Sequence, residues 1–178
     1  MNIIDKIISN FINNKSLYIG EKVTISEHMI QTAMIAEKVK SSNSLICSCL
    51  LHDYGHFILE DPDKLLRKKI DGKHEDIGYE YLKKFFKKDV VEPIKYHVLA
   101  KRYLAKKKKY FNSLSEAAKI SLKLQGGVLN KKESKEFEKK DFFKQTIKLR
   151  KFDEIAKRTD MKMKSIIEFK NLLGSHLL

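Results

Sequence analysis

The sequence predicts an all-α fold with a single domain over residues 1–178. Glycine (7) and proline (2) are scarce, whereas lysine, isoleucine and leucine are plentiful. Few helix-ending residues and many helix-forming ones favour an all-α architecture. Apolar residues also recur with helical spacing in successive segments, and no strand pattern, repeat or linker is evident. A chain of this length buries about 70% of its unfolded surface, which suits one core.

The first three helices are predicted from apolar stripes and serine caps. Residues 2–13 carry isoleucines and a phenylalanine at helical spacing. Ser26 predicts the N-cap of a helix that ends near residue 40, and Ser44 predicts the N-cap of the next helix. This third helix should end at Gly55, since glycine commonly stops a helix.

The remaining helices follow a predicted loop that contains Asp61-Pro62 and Asp71-Gly72. A basic turn is predicted over residues 106–109. Asn130 and Glu133 have the spacing of a capping box, so a charged helix should begin there. The other predicted helical segments are 74–87, 90–104, 115–124, 141–157 and 160–173.

The charge of the chain is strongly positive, with a formal net charge of +14. Only four basic residues are arginine, and the rest are lysine. Arginine does most of the bidentate reading of bases, so a dispersed lysine excess is a weak indication of nucleic-acid binding. We interpret it as solvated helix faces and expect no nucleic-acid partner. A basic field can still attract a small anionic substrate.

The cellular compartment is predicted from what the sequence lacks. The N-terminal residues have no signal-peptide pattern, and no apolar stretch approaches about 18 residues. Cys47 and Cys49 are two positions apart, so they diverge on a helix and fit neither a redox motif nor a disulfide framework. We therefore expect a soluble cytoplasmic protein with reduced thiols and no membrane partner.

Histidines are the candidate functional residues, because five of the six lie between positions 28 and 97, on four separate predicted helices or helix ends. The pair His52-Asp53 follows an apolar run, 45–51, at the buried end of a helix. Burying such a pair is costly unless it is neutralised or bound to metal. Any one histidine alone is more simply a hydrogen-bonded core residue, but together they indicate a metal centre. The five are His28, His52, His56, His74 and His97.

Imidazoles and carboxylates together bind zinc, iron or manganese, and the residues alone do not choose among these metals. Four histidines, Asp53 and a second carboxylate suffice for two metals that share Asp53 as a bridge. Asp153 is the best second carboxylate by pattern, although spacing does not choose it over Glu154. The predicted fold is thus a helical bundle with a dinuclear metal site in its core.

Several segments resemble one known family. They are Glu27-His28-x2-Gln31-Thr32-Ala33, Leu50-Leu51-His52-Asp53-x-Gly55-His56, His74-Glu75-x2-Gly78, Pro93-Ile94-x2-His97-Val98-x-Ala100-Lys101-Arg102-Tyr103-Leu104, Ser121-Leu122-x-Leu124-Gln125-Gly126-Gly127 and Leu149-Arg150-x2-Asp153. The chain resembles, over about residues 18–160, the HD-domain mixed-valent diiron oxygenases of the phosphonate-degrading type, which are related to myo-inositol oxygenase. The last part of the fourth segment and the fifth segment are the more specific, because hydrolytic HD enzymes do not usually carry them.

The resemblance implies a function and a set of metal ligands. It implies that dioxygen and two iron ions, in a mixed-valent Fe(II)/Fe(III) state, cleave the C–P bond of a 1-hydroxyalkylphosphonate to a carboxylate and phosphate. The first iron would be held by His28, His52, Asp53 and Asp153, and the second by Asp53, His74 and His97. It also implies a functional partner, a 2-oxoglutarate-dependent hydroxylase that makes the hydroxyphosphonate.

Substrate contacts are expected from residues one helical turn away from ligands. Lys101 follows His97 by four positions and Arg150 precedes Asp153 by three, so both would direct a cation at the phosphonate. Solvated helix charges are the simpler alternative for each. His56, Ser121 and Gln125 are further candidates for phosphonate contacts, although they could instead only complete helix ends.

The loop before the first ligand helix carries Tyr18 and Glu21, to which the resemblance assigns a catalytic lid role. The tyrosine would cover the iron until substrate displaces it, and the glutamate would contact the far end of the substrate. A packed loop tyrosine is the alternative. Glu21 slightly favours an aminoethyl substrate, but hydroxymethylphosphonate and a trimethylammonioethyl compound remain open.

Two other functions are compatible with parts of the sequence. An HD-domain phosphohydrolase acting on a nucleotide or another phosphate ester would share His28, His52, Asp53 and Asp153, with metal-activated water as nucleophile. It explains the His97/Lys101 and Arg150/Asp153 pairs less well. A non-catalytic nucleic-acid-binding helical protein is indicated by charge alone and would show strongly salt-dependent binding.

Overall fold

The structure, a computed structural model, describes residues 2–18, 20–59 and 70–178, and within them it confirms the all-α fold. The described residues form ten α-helices and two 3-10 helices, and no strand beyond two isolated bridges. The α-helices are α1 (Ile3–Asn13), α2 (Ile25–Lys38), α3 (Asn43–Leu51), α4 (His74–Leu82), α5 (Lys88–Leu104), α6 (Lys108–Ser113), α7 (Glu116–Leu124), α8 (Lys131–Glu138), α9 (Phe143–Ile155) and α10 (Lys170–Gly174). The 3-10 helices are Tyr54–Phe57 and Ile166–Phe169. The predicted Asp61-Pro62 loop lies outside the described residues.

The centre of the bundle consists of α2, α3, α5 and α9, which pack on one another. The helix α4 packs on α5 and on the first 3-10 helix, while α10 packs on α3, on α1 and on the second 3-10 helix. Burying one leucine or isoleucine side chain fully contributes about 1.5–3 kcal/mol, so the central helices form a firm frame for polar groups between them. Their fully buried apolar side chains include Met29, Leu50, Leu51, Ile94 and Leu149.

The N-terminus of α2 differs from the prediction, because Thr24 rather than Ser26 is its N-cap. The Thr24 hydroxyl accepts from the Glu27 amide, and the Glu27 carboxylate accepts from the Thr24 amide, which completes a capping box. Ser26 is buried, and its hydroxyl donates to the Phe11 carbonyl at 2.9 Å. Ser26 therefore ties α2 to α1 instead of starting the helix.

The helix α3 starts and ends earlier than predicted. Ser42, not Ser44, is its N-cap, and the helix ends at Leu51 rather than at Gly55. Gly55 lies in the first 3-10 helix, where a Cβ would be 1.9 Å from the carbonyl oxygen of His74. Glycine is needed there for close approach, since it lets the start of α4 rest directly on the 3-10 helix.

The later elements match the prediction in part. Ser115 caps α7, and Asn130 and Glu133 form the expected capping box at α8. The segment 106–109 is not wholly a turn, because α6 starts within it. The segment 160–173 is helical only from Ile166 onwards, and α4 ends before residue 87. No helix in the described ranges is long and apolar enough to cross a membrane.

Candidate metal centre and its cavity

Three buried side chains from α2, the residue after α3, and α9 form the first ligand group, defined as His28, His52 and Asp153. The Nε2 atom of His28 lies 3.2 Å from Nε2 of His52 and 3.2 Å from Oδ1 of Asp153. The three donor atoms lie within 4.8 Å of one another. This donor set is typical of a transition-metal site.

The second ligand group consists of Asp53, His74 and His97. His74 is the first residue of α4, and His97 lies in the middle of α5. Their Nε2 atoms are 3.1 Å apart, and Oδ1 of Asp53 is 3.2 Å from the first and 3.3 Å from the second. The structure thus brings together all six residues that the sequence singled out as ligands.

Asp53 lies between the two groups. Its Oδ1 faces the second group, whereas its Oδ2 lies 3.6 Å from Nε2 of His28 and 3.4 Å from Nε2 of His52. Asp53 directly follows His52, so two adjacent residues place an imidazole and this carboxylate at the same centre. A single carboxylate that offers one oxygen to each group has the geometry of a bridge.

The histidine rings are oriented by backbone carbonyls. A carbonyl oxygen only accepts, so each bonded Nδ1 carries the proton and each Nε2 presents a lone pair to the centre. The Nε2 atoms of His28 and His52 therefore face each other. The bonds run from Nδ1 of His28 to Ala156 (2.8 Å), of His52 to Cys49 (2.8 Å) and of His97 to Ile94 (2.7 Å).

The electrostatics of the centre fit bound cations. Oδ2 of Asp53 and Oδ1 of Asp153 are buried and accept no hydrogen bond from any described residue. Buried lone pairs and carboxylates that converge in this way are costly without a positive charge. Burial opposes protonation of His52, but Asp53 outweighs it and raises the pKa of that imidazole to about 9. Although burial alone would raise the pKa of Asp53, His52 holds it well below its usual range.

Arg150 holds the Asp153 carboxylate from behind. Its guanidinium donates to Oδ2 of Asp153 and to the Glu154 carboxylate, and its Nε donates to the Tyr110 hydroxyl at 2.8 Å. The other Asp153 oxygen, Oδ1, is left facing His28. Glu154, the alternative carboxylate by spacing, therefore pairs with the arginine, while Asp153 joins the ligand group.

A cavity of about 580 Å³ lies beside the centre. Its wall includes His74 and His97 of the second group, but none of the first-group residues is among its described lining. Volumes of this size are typical of small-molecule sites. The polar side chains on its wall are Ser16, Tyr18, Glu21, His56, Asp71, His74, His97, Lys101, Ser115, Ser121, Gln125, Arg150 and Lys157.

One wall of the cavity is cationic. Lys101 is buried and donates to the Ser121 hydroxyl at 2.9 Å. Burial, together with the charge of Arg150, lowers the Lys101 pKa to about 7. Gln125 lies one turn after Ser121 on the same wall, and its Oε1 is buried without a hydrogen bond from the described residues.

The two glycines after Gln125 are fixed by Arg102. Both have positive φ, 94° at Gly126 and 69° at Gly127, which glycine adopts without strain. The guanidinium of Arg102 donates to the carbonyls of Gly127 (2.9 Å) and Gly126 (3.2 Å). The Arg102 bonds to Gly126 and Gly127 therefore hold the end of α7, with Ser121 and Gln125, against α5.

His56 lies at the cavity but belongs to neither ligand group. Its ring stacks on that of His74, with centroids 4.2 Å apart and planes 16° apart. Burial and the neighbouring His74 lower the His56 pKa to about 3, so this imidazole is neutral. Its Nδ1 is buried and has no hydrogen-bond partner in the described part of the chain.

Tyr18 and Glu21 line the cavity from the loop before α2. The ring of Tyr18 stacks on His28, with centroids 4.1 Å apart and planes 21° apart, and thus covers the first group. Burial raises the Tyr18 pKa, so the phenol keeps its proton. Oε1 of Glu21 is 3.4 Å from Nζ of Lys157, which also lies over the Tyr18 ring at 5.8 Å.

Sequence reasoning missed several polar residues of the site. Lys157 and Tyr110 contact the residues described above, and Glu75 extends a carboxylate oxygen to 3.5 Å from Nδ1 of His74. The position of Glu75 directly after a candidate ligand could have indicated it. Lys157 follows Asp153 by four positions, the spacing that indicates Lys101 after His97, so the sequence carries a signal for it as well. Tyr110 carries none, because it is distant in sequence from every ligand.

Comparison with known proteins identifies the class of this fold and site. Residues 25–140 match the family described as "HD domain". The chain therefore belongs to the HD-domain family.

Two relatives are more informative. The chain is 48% identical over 145 residues (81% of this chain, 74% of the relative) to "[1-hydroxy-2-(trimethylamino)ethyl]phosphonate dioxygenase (glycine-betaine-forming)" of Leisingera caerulea. It is 38% identical over 161 residues (88% of this chain, 79% of the relative) to "Hydroxymethylphosphonate dioxygenase" of Gimesia maris.

Proposed function

We propose that this protein is an oxygenase that cleaves the C–P bond of a 1-hydroxyalkylphosphonate with dioxygen. The observation that carries the proposal is the Asp53 carboxylate, which offers one oxygen to each of two histidine groups beside a cationic cavity. The names of two relatives, both phosphonate dioxygenases, support the reaction class.

The proposed cofactor is a pair of iron ions. His28, His52 and Asp153 would hold one ion, His74 and His97 the other, and Asp53 would bridge them. When bound, a mixed-valent Fe(II)/Fe(III) pair supplies the redox chemistry with dioxygen. Histidine and carboxylate donors suit this metal, and the two buried carboxylate oxygens without hydrogen bonds supply negative charge for it.

The overall reaction balances without any further reductant. A hydroxyphosphonate dianion and one dioxygen molecule give a carboxylate, a hydrogenphosphate dianion and one proton. The carbon–phosphorus bond and the hydrogen on the hydroxyl-bearing carbon are lost, and both oxygen atoms enter the products. The four electrons that dioxygen gains come from the substrate itself.

The task of the chain's own residues is to bind and orient the phosphonate. Lys101 and Arg150 supply positive charge, and Ser121 and Gln125 supply a hydroxyl and an amide on the same wall. Neutral His56 can accept or donate at the edge of His74. These groups would hold the anion beside the metal centre, with its hydroxyl and one phosphonate oxygen directed at the first ligand group once Tyr18 is displaced.

The loop before α2 would control access to the first group. Tyr18 stacks on His28, so its ring excludes water from that side until substrate moves it. Such gating by a loop is common in enzymes whose centre must stay dry. Glu21 would face the far end of the substrate from the same loop.

The cellular context is also a proposal. A 2-oxoglutarate-dependent hydroxylase would supply the hydroxyphosphonate, since a C–H bond next to phosphorus must first gain the hydroxyl. We propose that both proteins act in the cytoplasm, that this chain works as a single domain, and that it needs no nucleic acid.

The test is to load the protein with iron under anaerobic conditions and to measure iron per chain, oxygen uptake and phosphate release. The substrates are hydroxymethylphosphonate, 1-hydroxy-2-aminoethylphosphonate and its trimethylammonio analogue. We expect about two irons per chain and one phosphate released per dioxygen consumed. Phosphate release that continues without oxygen, or a phosphate ester as the better substrate, would make the protein a phosphohydrolase instead.

A further inference from the structure

Lys157 is the cavity residue whose role the proposed function leaves open. Its ammonium group lies 3.4 Å from Glu21, 3.4 Å from Glu154 and 5.8 Å from the centre of the Tyr18 ring. The side chain is 12% exposed, so it is largely removed from water. It therefore connects the Tyr18–Glu21 loop to the end of α9.

The backbone on both sides of Lys157 is fixed to α2. The carbonyl of Ala156 accepts from Nδ1 of His28 at 2.8 Å. Arg158 exchanges two bonds with the Gln31 side chain, at 2.7 and 2.9 Å. Lys157 is thus held at both neighbours, and its ammonium group can reach Glu21 without reordering the chain.

The surroundings of this ammonium group match those that a cationic ligand needs. A carboxylate and the face of an aromatic ring are the usual partners of an ammonium ion. Oε1 of Glu21 is buried and accepts no hydrogen bond from the described residues, so the ion pair is its main compensation. A substrate with a cationic far end would compete with Lys157 for this carboxylate and for the Tyr18 ring.

We propose that Lys157 is a specificity-determining residue that acts as the built-in counter-ion of Glu21. It fills the cation position beside Glu21 and the Tyr18 ring, and so favours hydroxyphosphonates whose far end carries no positive charge. The inference rests on the proposed function, because it concerns the choice among substrates of that reaction. It does not require a change in the metal centre.

The experiment compares wild type with Lys157→Met on hydroxymethylphosphonate and on 1-hydroxy-2-(trimethylammonio)ethylphosphonate. The ratio of kcat/KM for the cationic over the small substrate should rise about tenfold, the effect of one charge pair of modest strength. Lys151→Met is the matched control, since it removes an exposed lysine from α9 and should leave the ratio unchanged. Lys157→Gln serves as a second variant if the methionine variant does not fold.

Glu21→Gln in the Lys157→Met background identifies the group that attracts the cation. The gain should disappear there. A gain that survives would mean that the cation binds elsewhere, for example at Asp71, and would overturn the proposal, as would an unchanged ratio in Lys157→Met.

Anaerobic titration of the iron-loaded protein with both phosphonates gives the ratio of the two affinities, which Lys157→Met should shift in the same direction as the kcat/KM ratio. If no phosphonate is turned over, the proposed function fails, yet the affinity ratio still decides the role of Lys157.

Discussion

The two ligand groups differ in access and in support. The first group, His28, His52 and Asp153, is fully buried, lies under the Tyr18 ring and has no described residue on the cavity wall. The second group opens to the cavity through His74, whose side chain is 12% exposed, and through His97. The centre therefore has a closed half and an open half.

The support of the two halves differs in the same way. In the closed half, backbone carbonyls fix both imidazoles, and Arg150 fixes the carboxylate. In the open half, the Ile94 carbonyl fixes His97, whereas His74 has the Glu75 carboxylate at 3.5 Å from Nδ1 and the stacked ring of His56. We therefore expect the closed half to retain metal more firmly, and the open half to be the one that substrate reaches first.

The largest effect is expected from Asp53→Asn, which would break both halves at once. Losing the shared carboxylate removes charge from two sites, and a metal contributes several kcal/mol to catalysis, so activity should fall on the order of a thousandfold or more. Iron per chain and phosphate release measure this. Asp141→Asn, at an exposed aspartate, is the control and should behave as wild type. Retention of two irons in Asp53→Asn would show that the carboxylate is no bridge.

Two further variants test whether metal can be lost from one half of the centre while the other half stays loaded. His74→Ala should release about one iron per chain and leave the closed half loaded, with activity reduced about a hundredfold. Asp153→Asn should weaken the closed half instead, because His28 and His52 keep their orientation but lose the carboxylate charge. The two variants are compared by iron content during stepwise chelation. Identical release curves would contradict the distinction between the halves.

A smaller effect concerns the stability of the open half. In Gly55→Ala, the new methyl group would meet the carbonyl oxygen of His74, so we expect a loss of about 1–3 kcal/mol in the free energy of unfolding. Gly174→Ala is the matched control, because a Cβ there meets nothing within 4 Å. Chemical denaturation of both variants gives the comparison, and an equal effect would show that Gly55 is not needed for close approach.

The smallest effect is a pH dependence at the open half. The Lys101 pKa is lowered to about 7, so the side chain is a cationic ammonium group below that pH and loses its charge as the pH rises through it. Phosphonate affinity should therefore decrease above pH 7 relative to Lys101→Arg, which stays charged throughout. Affinity is measured by titration at several pH values for both proteins. The ionisation of the substrate cancels in the ratio, and a flat ratio would contradict the lowered pKa.

Much of the fold was predictable, because helical periodicity extends over long segments. The errors fall at helix ends, where neighbouring polar residues compete. Ser42 and Ser44 both have suitable side chains, and only the path of the chain into α3 selects the first. The sequence predicts Gly55 as a helix stop. A side chain is excluded at this position by the carbonyl of His74, which is distant in sequence, so the local sequence cannot reveal the reason.

The candidate site was predictable to the extent that its residues belong to recognisable segments. The structure brings the six proposed ligands together, and Lys101 and Arg150 do line the cavity. Choosing Asp153 over Glu154 needed the position of Arg150, which pairs with both. Lys157 has the same spacing after Asp153 as Lys101 has after His97, but its contact with Glu21 involves a loop that is far away in sequence and could not be predicted. The roles of all these residues in metal and substrate binding remain predictions.

The hydrogen bonds between the ligand imidazoles and backbone carbonyls have a consequence for folding. Each of three ligand rings is hydrogen-bonded to a backbone carbonyl, and the six proposed ligands come from segments spread over most of the chain. A metal ion held there cross-links these segments as a covalent bridge would, since the unfolded chain has no such site. The amount of folded protein in a cell would then depend on the supply of the bound metal. When that metal is scarce, more of the chain would be unfolded, and less substrate would be consumed.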